Sequence, residues 1–403
     1  MMNIVVVGGG HAAAQFCASL AEQQIEARVE LVSEEAYLPY HRPPLSKAYL
    51  KDAEPTAAWL RSADYYAGKG ANWRLSSRVQ RISRDKRHVE LAGGLTLPYD
   101  HLVLATGARA RVLPGLPSGL DNVLTLRNLD DAARLRERLA GAKSILIVGG
   151  GFIGLEVAAT AAQLGKQVVL VEAGPRLLAR SVSPELSAYV LASHRAAGVD
   201  VRLDTIVEGF EISGNAIHAA QVSDDLLPVD LVIVGIGASP NDELAREAGL
   251  VCEKGVVVDA HMVTSDPLIL AIGDCTAFPF APLGRHVRLE SVQNANDQAR
   301  CAAQTLAGMA QPYTALPWFW SEQGALRIQI AGIPDTHHDR LIRGDPAQGK
   351  FSVLYFDNNV LACVESVNAP ADHMAARKLI TDGVRIVSDQ VLDASIPLKT
   401  FGQ

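Results

Sequence analysis

Ser144-Ile145-Leu146-Ile147-Val148-Gly149-Gly150-Gly151-Phe152-Ile153-Gly154-Leu155-Glu156 carries an aliphatic run into a cluster of glycines and on into a helix-forming stretch, Ile153–Leu164. A run of β-branched and aliphatic residues with no polar alternation reads as a strand buried on both faces, the usual state in a parallel sheet. The spacing Gly149, Gly151, Gly154 is that of G-x-G-x-x-G. In such a turn the first glycine makes the bend and the second lets a pyrophosphate approach. The third position stays small so that helix and strand can pack. Backbone N–H groups and the positive helix end, with Ile153 in the first turn, then face the phosphates. The next strand, Val168–Val171, ends on Glu172, 21 residues after Gly151. An acid at that place accepts hydrogen bonds from the ribose hydroxyls.

The same design occurs once more, at the N-terminus. The strand from Ile4 runs into Gly8-Gly9-Gly10, an Ala-rich helix extends to Glu22, and the strand Arg28–Val32 follows. Here Gly8 and Gly10 are followed by Ala13, a permitted small residue. Glu34 lies 24 residues after Gly10 with Ser33 intervening, and Glu35 competes for the same role. Two such βαβ units, each with its acid, imply two dinucleotides, and FAD with NAD(P) is the economical pair. A carboxylate at Glu172 repels a 2′-phosphate, and the next Arg is Arg176, so NADH is favoured over NADPH.

At 403 residues the chain is long enough for two or three domains. Its net charge of −7 gives no global attraction to nucleic acid or an anionic membrane. The five cysteines, Cys17, Cys252, Cys275, Cys301 and Cys363, are scattered and form no C-x-x-C. That spacing argues against a disulfide framework, a zinc site or an iron–sulfur cluster, and it fits a reducing compartment. There is no signal-like N-terminus and no long uncharged apolar run, so the expected location is cytoplasmic. Each βαβ unit is followed by a strand and glycine turn, Leu102–Ala108 and Leu231–Gly237. A further strand, Leu270–Ile272, leads into Gly273-Asp274. From about Pro317 alternating strands (Arg327–Ile330, Phe351–Phe356, Leu361–Val367) predict an antiparallel layer, then a helix near Asp372–Ile380. The fold class is therefore α/β, with two Rossmann-like dinucleotide-binding domains and a C-terminal α+β domain.

Tyr40-His41-Arg42-Pro43-Pro44-Leu45-Ser46-Lys47, Ala105-Thr106-Gly107, Ala271-Ile272-Gly273-Asp274-Cys275, Glu290-Ser291-Val292-Gln293-Asn294 and Pro317-Trp318-Phe319-Trp320 occur in this order. Together they resemble the FAD-dependent ferredoxin reductases of bacterial oxygenase systems, from the first strand to about Arg377. The resemblance implies a glutathione-reductase-like fold. An FAD domain would be built from 1–109 and 237–316, an NAD domain from 110–236 and a C-terminal domain from 317–403. Carried over by position, the FAD set is Ala12, Glu34, Lys47, Val79, Arg127, Asp274 and Val292, beside Arg42, the turn Ala105-Thr106-Gly107 and, for the second nucleotide, Gly237. Lys47 and Arg127 would neutralise pyrophosphate, Asp274 would accept from the ribitol and the Val292 backbone would meet the flavin edge. His41 departs from the family, which often has Asp, Glu or Gln there, and is read as structural.

Hydride transfer needs two stacked rings rather than a nucleophile or general base. The resemblance assigns Glu156 to orient the nicotinamide amide and places Trp320 near the flavin on the side of the electron acceptor; Trp318 and Phe319 are read as core. A dithiol reductase of this fold would carry C-x-x-x-x-C after its first unit, and a peroxide or NADH oxidase a cysteine near Arg42–Ser46; neither is present. Chemistry is then expected to stop at the flavin and to require a one-electron acceptor, a two-iron two-sulfur ferredoxin serving a monooxygenase or dioxygenase. The same scaffold would also suit a reductase of rubredoxin, a quinone or monodehydroascorbate, or a flavoprotein that signals by NADH-dependent shape change, as apoptosis-inducing factor does. An acidic ferredoxin would need a local positive patch, and Arg300, Arg377 and Lys378 are the candidates.

Overall fold

The computed structural model describes residues 1–386 and 388–402. The chain divides into two compact units. One comprises Met1–His41, Ala57–Arg109 and Ala238–Ala315, the other Arg42–Thr56, Ala110–Gly237 and Leu316–Gln403.

The first unit is built on a five-stranded parallel sheet. Its order is Ile269–Ala271, His101–Leu104, Met2–Val7, Ala27–Val32, Ala71–Arg74. Ile4, Val6, Leu31, Leu102 and Val103 are wholly buried, as an unalternating aliphatic run requires of a sheet covered on both faces. The helix His11–Glu22 follows the first strand and packs against the helix Val292–Leu306. An antiparallel meander, Val79–Ser83, His88–Leu91 and Thr96–Pro98, is inserted before the strand at 101.

The second unit repeats this plan. Its parallel sheet runs Val199–Arg202, Gln167–Val171, Ser144–Val148, Leu231–Val234, Val123–Leu124. Again a three-stranded meander, Val207–Ser213 to Asp225–Pro228, interrupts the chain before the fourth strand of the series. The difference lies in the fifth position, filled by a late segment (269–271) in the first unit and an early one (123–124) in the second. The second unit also holds an antiparallel sheet, in the order Trp318–Gln323, Leu326–Ala331, Val360–Val367, Lys350–Asp357, Asp339–Asp345, packed against the helix Pro370–Thr381. The alternation beyond Pro317 is thus realised as expected, with two strands more than the three marked from sequence. Segment 42–56, expected with the residues around it in the first domain, packs in the second compact unit.

Among the described residues no helix is long and apolar enough to cross a membrane.

Candidate functional site

Among the described helices of twelve residues or more, two stand out at their N-termini. His11–Glu22 and Phe152–Gln163 begin at Gly10 and Gly151 with no side-chain cap and no acidic residue in the first turn. Leu129–Gly141, Pro184–Ala196 and Val292–Leu306 are instead capped by Asn128, Ser183 and Ser291. First-turn N–H groups left uncapped at a glycine turn are donors for an anion. The turns themselves admit only glycine at their first position. Gly8 has φ +130°, and a Cβ there would fall 2.0 Å from the Ala105 carbonyl oxygen; at Gly149 (φ +108°) it would fall 2.6 Å from that of Gly235. Ala13 and Gly154, the small third positions, are buried. These cradles fit the pyrophosphates of two dinucleotides.

In the second unit the Glu172 carboxylate accepts from the backbone N–H groups of Gly150 (2.7 Å) and Gly174 (2.8 Å), so the acid and the glycine turn hold each other. Arg176 donates to the carbonyls of Val182 and Ala179 and is not turned to a phosphate at this place. Gly237 (φ +104°) accepts from the Arg111 N–H at 2.9 Å.

In the first unit the residue against the glycine turn is Ser33, whose Oγ would lie 2.3 Å from a Cβ at Gly9. Glu34, one residue on, is exposed and 3.7 Å from Arg78. Glu35 accepts from the Tyr40 hydroxyl at 2.5 Å. The longer spacing noted from sequence thus has a physical form: a serine occupies the place that Glu172 has in the second unit. The turn at Ala105-Thr106-Gly107 is clamped by Asn241, which donates to the Thr106 carbonyl (2.9 Å) while its own carbonyl accepts from the Thr106 hydroxyl (2.6 Å). Gln298, on the helix Val292–Leu306, accepts from the Gly273 N–H (2.7 Å) and the Thr276 hydroxyl (3.0 Å), fixing the bend that carries Asp274. A Cβ on Gly273 would touch Ala12 at 3.2 Å, so Ala12, Asp274 and the helix opening at Val292 converge. Val79 opens its strand as a buried residue paired with Leu91. His41, at the end of the first segment, meets the His11 ring edge-on.

The second unit also holds a buried polar cluster that the sequence only hinted at. Glu156, on Phe152–Gln163, is 5% exposed. Its Oε2 accepts from the Ser46 hydroxyl (2.5 Å) and the Lys47 ammonium (2.6 Å), and its Oε1 from the Ser321 hydroxyl (2.7 Å). Lys47 also reaches the Pro43 carbonyl (3.1 Å) and Ser46 Oγ (3.3 Å). Arg42 donates to the Arg127 carbonyl at 2.9 Å. Nothing in the sequence marks Ser321 or Gln323 as site residues, whereas Ser46 carries a signal, its place in the R-P-P-L-S-K string.

Trp318 and Trp320 stack with ring centroids 5.5 Å apart, and Phe319 packs edge-on against Phe152. All three are half-buried, and Trp318 lies against the core of the antiparallel layer. The Arg377 guanidinium covers the Trp318 ring at 4.5 Å. The buried His373 meets the same ring edge-on, its pKa pushed down to about 4 by burial and by Arg377 and Arg327. Lys378 is exposed on the same helix; in the first unit, Arg300 is paired with Asp297 at 2.5 Å.

All five cysteines are free thiols, four of them buried and Cys252 half-buried. Burial pushes every one upward, Cys17 to about 12 and Cys301 to about 11.

The pyridine nucleotide-disulphide oxidoreductase family model matches residues 2–299, and the reductase C-terminal model matches 318–402. Rhodocoxin reductase of Rhodococcus erythropolis is 42% identical over 400 residues, covering 99% of this chain and 94% of that protein. Putidaredoxin reductase CamA of Pseudomonas putida is 41% identical over 404 residues, 98% and 96% of the two chains. The reductase in the covalent putidaredoxin reductase–putidaredoxin complex superposes with a TM-score of 0.96 at 40% identity, covering 99% of this chain and 98% of that one. The ferredoxin reductase for the CYP199A2 system of Rhodopseudomonas palustris gives 0.95 at 41%, covering 99% of each chain.

Proposed function

Because the chain belongs to the pyridine nucleotide-disulphide oxidoreductase family and carries a reductase C-terminal domain, we propose that it is an NADH-dependent ferredoxin reductase of an oxygenase system. It is an FAD-dependent oxidoreductase, and its relatives act with ferredoxins. The bound FAD supplies the exchange between a hydride and single electrons. The chain's own residues bind and orient. Gly8, Gly10, Ala12 and Ala13 cradle the FAD, with Glu34, Arg42, Lys47, Val79, Ala105, Thr106, Gly107, Arg127, Asp274 and Val292. Gly149, Gly151, Ile153, Gly154, Glu172 and Gly237 hold the NADH. Glu156, charged and fixed by Ser46, Lys47 and Ser321, orients the nicotinamide amide. Trp320 covers the flavin toward the acceptor. We assign the FAD domain to 1–109 and 237–316, the NAD domain to 110–236 and the C-terminal domain to 317–403, in a cytoplasmic protein.

The observation that carries this reading is the state of the thiols. A thiolate is the redox-active form, and burial suppresses it at all five cysteines. Electrons therefore leave from the flavin. The yellow protein is expected to bleach with NADH at the same rate before and after iodoacetamide treatment. Loss of bleaching on alkylation would refute thiol-free reduction.

The acceptor we propose is a two-iron two-sulfur ferredoxin that docks at Arg300, Arg377 and Lys378. The chain is acidic overall, and charges beyond about 8 Å are largely screened at physiological salt, so attraction must come from a local set of cations. Reversing all three charges is expected to slow ferredoxin reduction roughly tenfold or more at low salt, and to flatten its salt dependence. NADH-to-flavin transfer stays as it was. Stopped-flow measurement of the two half-reactions separates them, and an untouched second half-reaction would move the docking surface elsewhere.

A further inference from the structure

The hydrogen bonds at Glu156 do not stop at Ser321. The Ser321 hydroxyl accepts from Gln323 Nε2 at 3.2 Å, and Gln323 Oε1 lies 2.9 Å from His194 Nε2. Ser321, Gln323 and His194 are 0%, 3% and 2% exposed. The direction of every bond follows from the carboxylate. With the Lys47 ammonium 2.6 Å away Glu156 is ionised, and an ionised carboxylate only accepts. Ser321 therefore donates its single hydrogen to Glu156 and must accept from the Gln323 amide. The Gln323 carbonyl is then turned to His194, whose Nε2 must carry the hydrogen. His194 Nδ1 is left buried with no hydrogen-bond partner among the described residues, and burial holds the ring's pKa below its ordinary value.

This chain of donors crosses three elements, the helix Pro184–Ala196, the strand Trp318–Gln323 and the helix Phe152–Gln163. Along that strand Phe319, Ser321 and Gln323 face one way, and Trp318 and Trp320 the other. A buried ionised acid held by such directed donors has one orientation open to it, since a rotated carboxylate would strand a donor at each step.

We infer that Ser321, Gln323 and His194 are positioning residues for flavin reduction, which set the orientation of the Glu156 carboxylate without touching either nucleotide. The inference rests on the role proposed for Glu156. One lost hydrogen bond to a charged group corresponds to roughly a tenfold change. Ser321→Ala is therefore expected to lower the limiting rate of flavin reduction by NADH about tenfold, with the dissociation constant for NADH unchanged, because pyrophosphate and ribose contacts are untouched. Ser321→Cys, a weak donor of similar shape, falls between, and it carries the test if the alanine variant does not fold. Gln323→Leu slows the same step by a smaller factor. Nitrogen-15 spectra of labelled histidine, with His194→Gln to identify the signal, are expected to give the Nε2–H tautomer in the wild-type protein with or without flavin. A His194 ring protonated at Nδ1 alone would overturn the donor chain. Normal reduction in the wild type and in all three variants at Ser321 and Gln323 would overturn the positioning role alone, whereas a wild-type flavin that NADH fails to bleach would count against the enzyme reading itself.

Discussion

Glu156→Ala is expected to cost about 3 kcal/mol of stability and to slow flavin reduction by NADH by more than the roughly tenfold expected of Ser321→Ala. The stability loss has a specific source. The Lys47 and Glu156 side chains are 17% and 6% exposed, so removing the carboxylate leaves an ammonium largely withdrawn from water beside the neutral Ser46 Oγ and Pro43 carbonyl. An unpaired buried charge costs more than the pair was worth, because desolvation is no longer offset by attraction. The Ser46 and Ser321 hydroxyls lose their acceptor in the same step. Adding Lys47→Met to Glu156→Ala should therefore restore part of the stability, although it is a second mutation in the same site. Urea midpoints of the single and double variants check this, and equal midpoints would remove the stranded charge from the explanation. The kinetic loss should persist in the double variant, since the methionine returns no acceptor for the nicotinamide amide.

The second large effect belongs to Glu172. Glu172→Ala should raise the Michaelis constant for NADH by roughly tenfold or more, since bonds to a charged acceptor are worth about 1.5–3 kcal/mol and 1.4 kcal/mol is a factor of ten. The carboxylate has lone pairs for the ribose hydroxyls beyond those that accept from Gly150 and Gly174. Its removal strips the ribose partner and also leaves two turn donors without their acceptor, so the pyrophosphate cradle loosens as well. NADPH should lose less, or gain, because the repulsion of its 2′-phosphate disappears. Steady-state constants for both nucleotides decide the matter. An unchanged NADH/NADPH ratio would take Glu172 out of the site.

The frame of this molecule was legible because its signals are local. A buried strand, a glycine turn and an Ala-rich helix lie within thirty or so residues of one another, and Ile4↔Val29 and Ile145↔Val168 pair as two such units must. Glycine at 8 and 149 is dictated by a backbone contact that no other residue survives. What was not legible depends on separations of another order. Ser46 and Ser321 reach Glu156 across 110 and 165 residues, and His194 reaches Gln323 across 129. No periodicity marks a serine or glutamine as the partner of a distant acid, and each reads alone as an ordinary polar residue on a strand or turn. The same holds for His373, whose burial against Trp318 follows from how one helix lies on a sheet. Ser33 illustrates the intermediate case. The 24-residue spacing to Glu34 signalled that the two units were not identical, but only the packing of Ser33 on Gly9 says how.

The fifth strand of the first parallel sheet has a consequence for how the chain is made. Ile269–Ala271 pairs with Leu102–Leu104, so this edge waits until a further 165 residues or so have left the ribosome. The corresponding strand of the second sheet, Val123–Leu124, is synthesised before its partner at Val232–Ile233, and that sheet has all its strands once residue 234 emerges. Chains grow at about 5–20 residues per second, which leaves the segment Leu102-Val103-Leu104 as an open, wholly apolar edge for on the order of ten seconds. An unpaired hydrophobic strand is a template for pairing with another chain. The nascent protein thus passes through an interval of exposure to aggregation that its finished form does not betray, and slower synthesis would lengthen that interval.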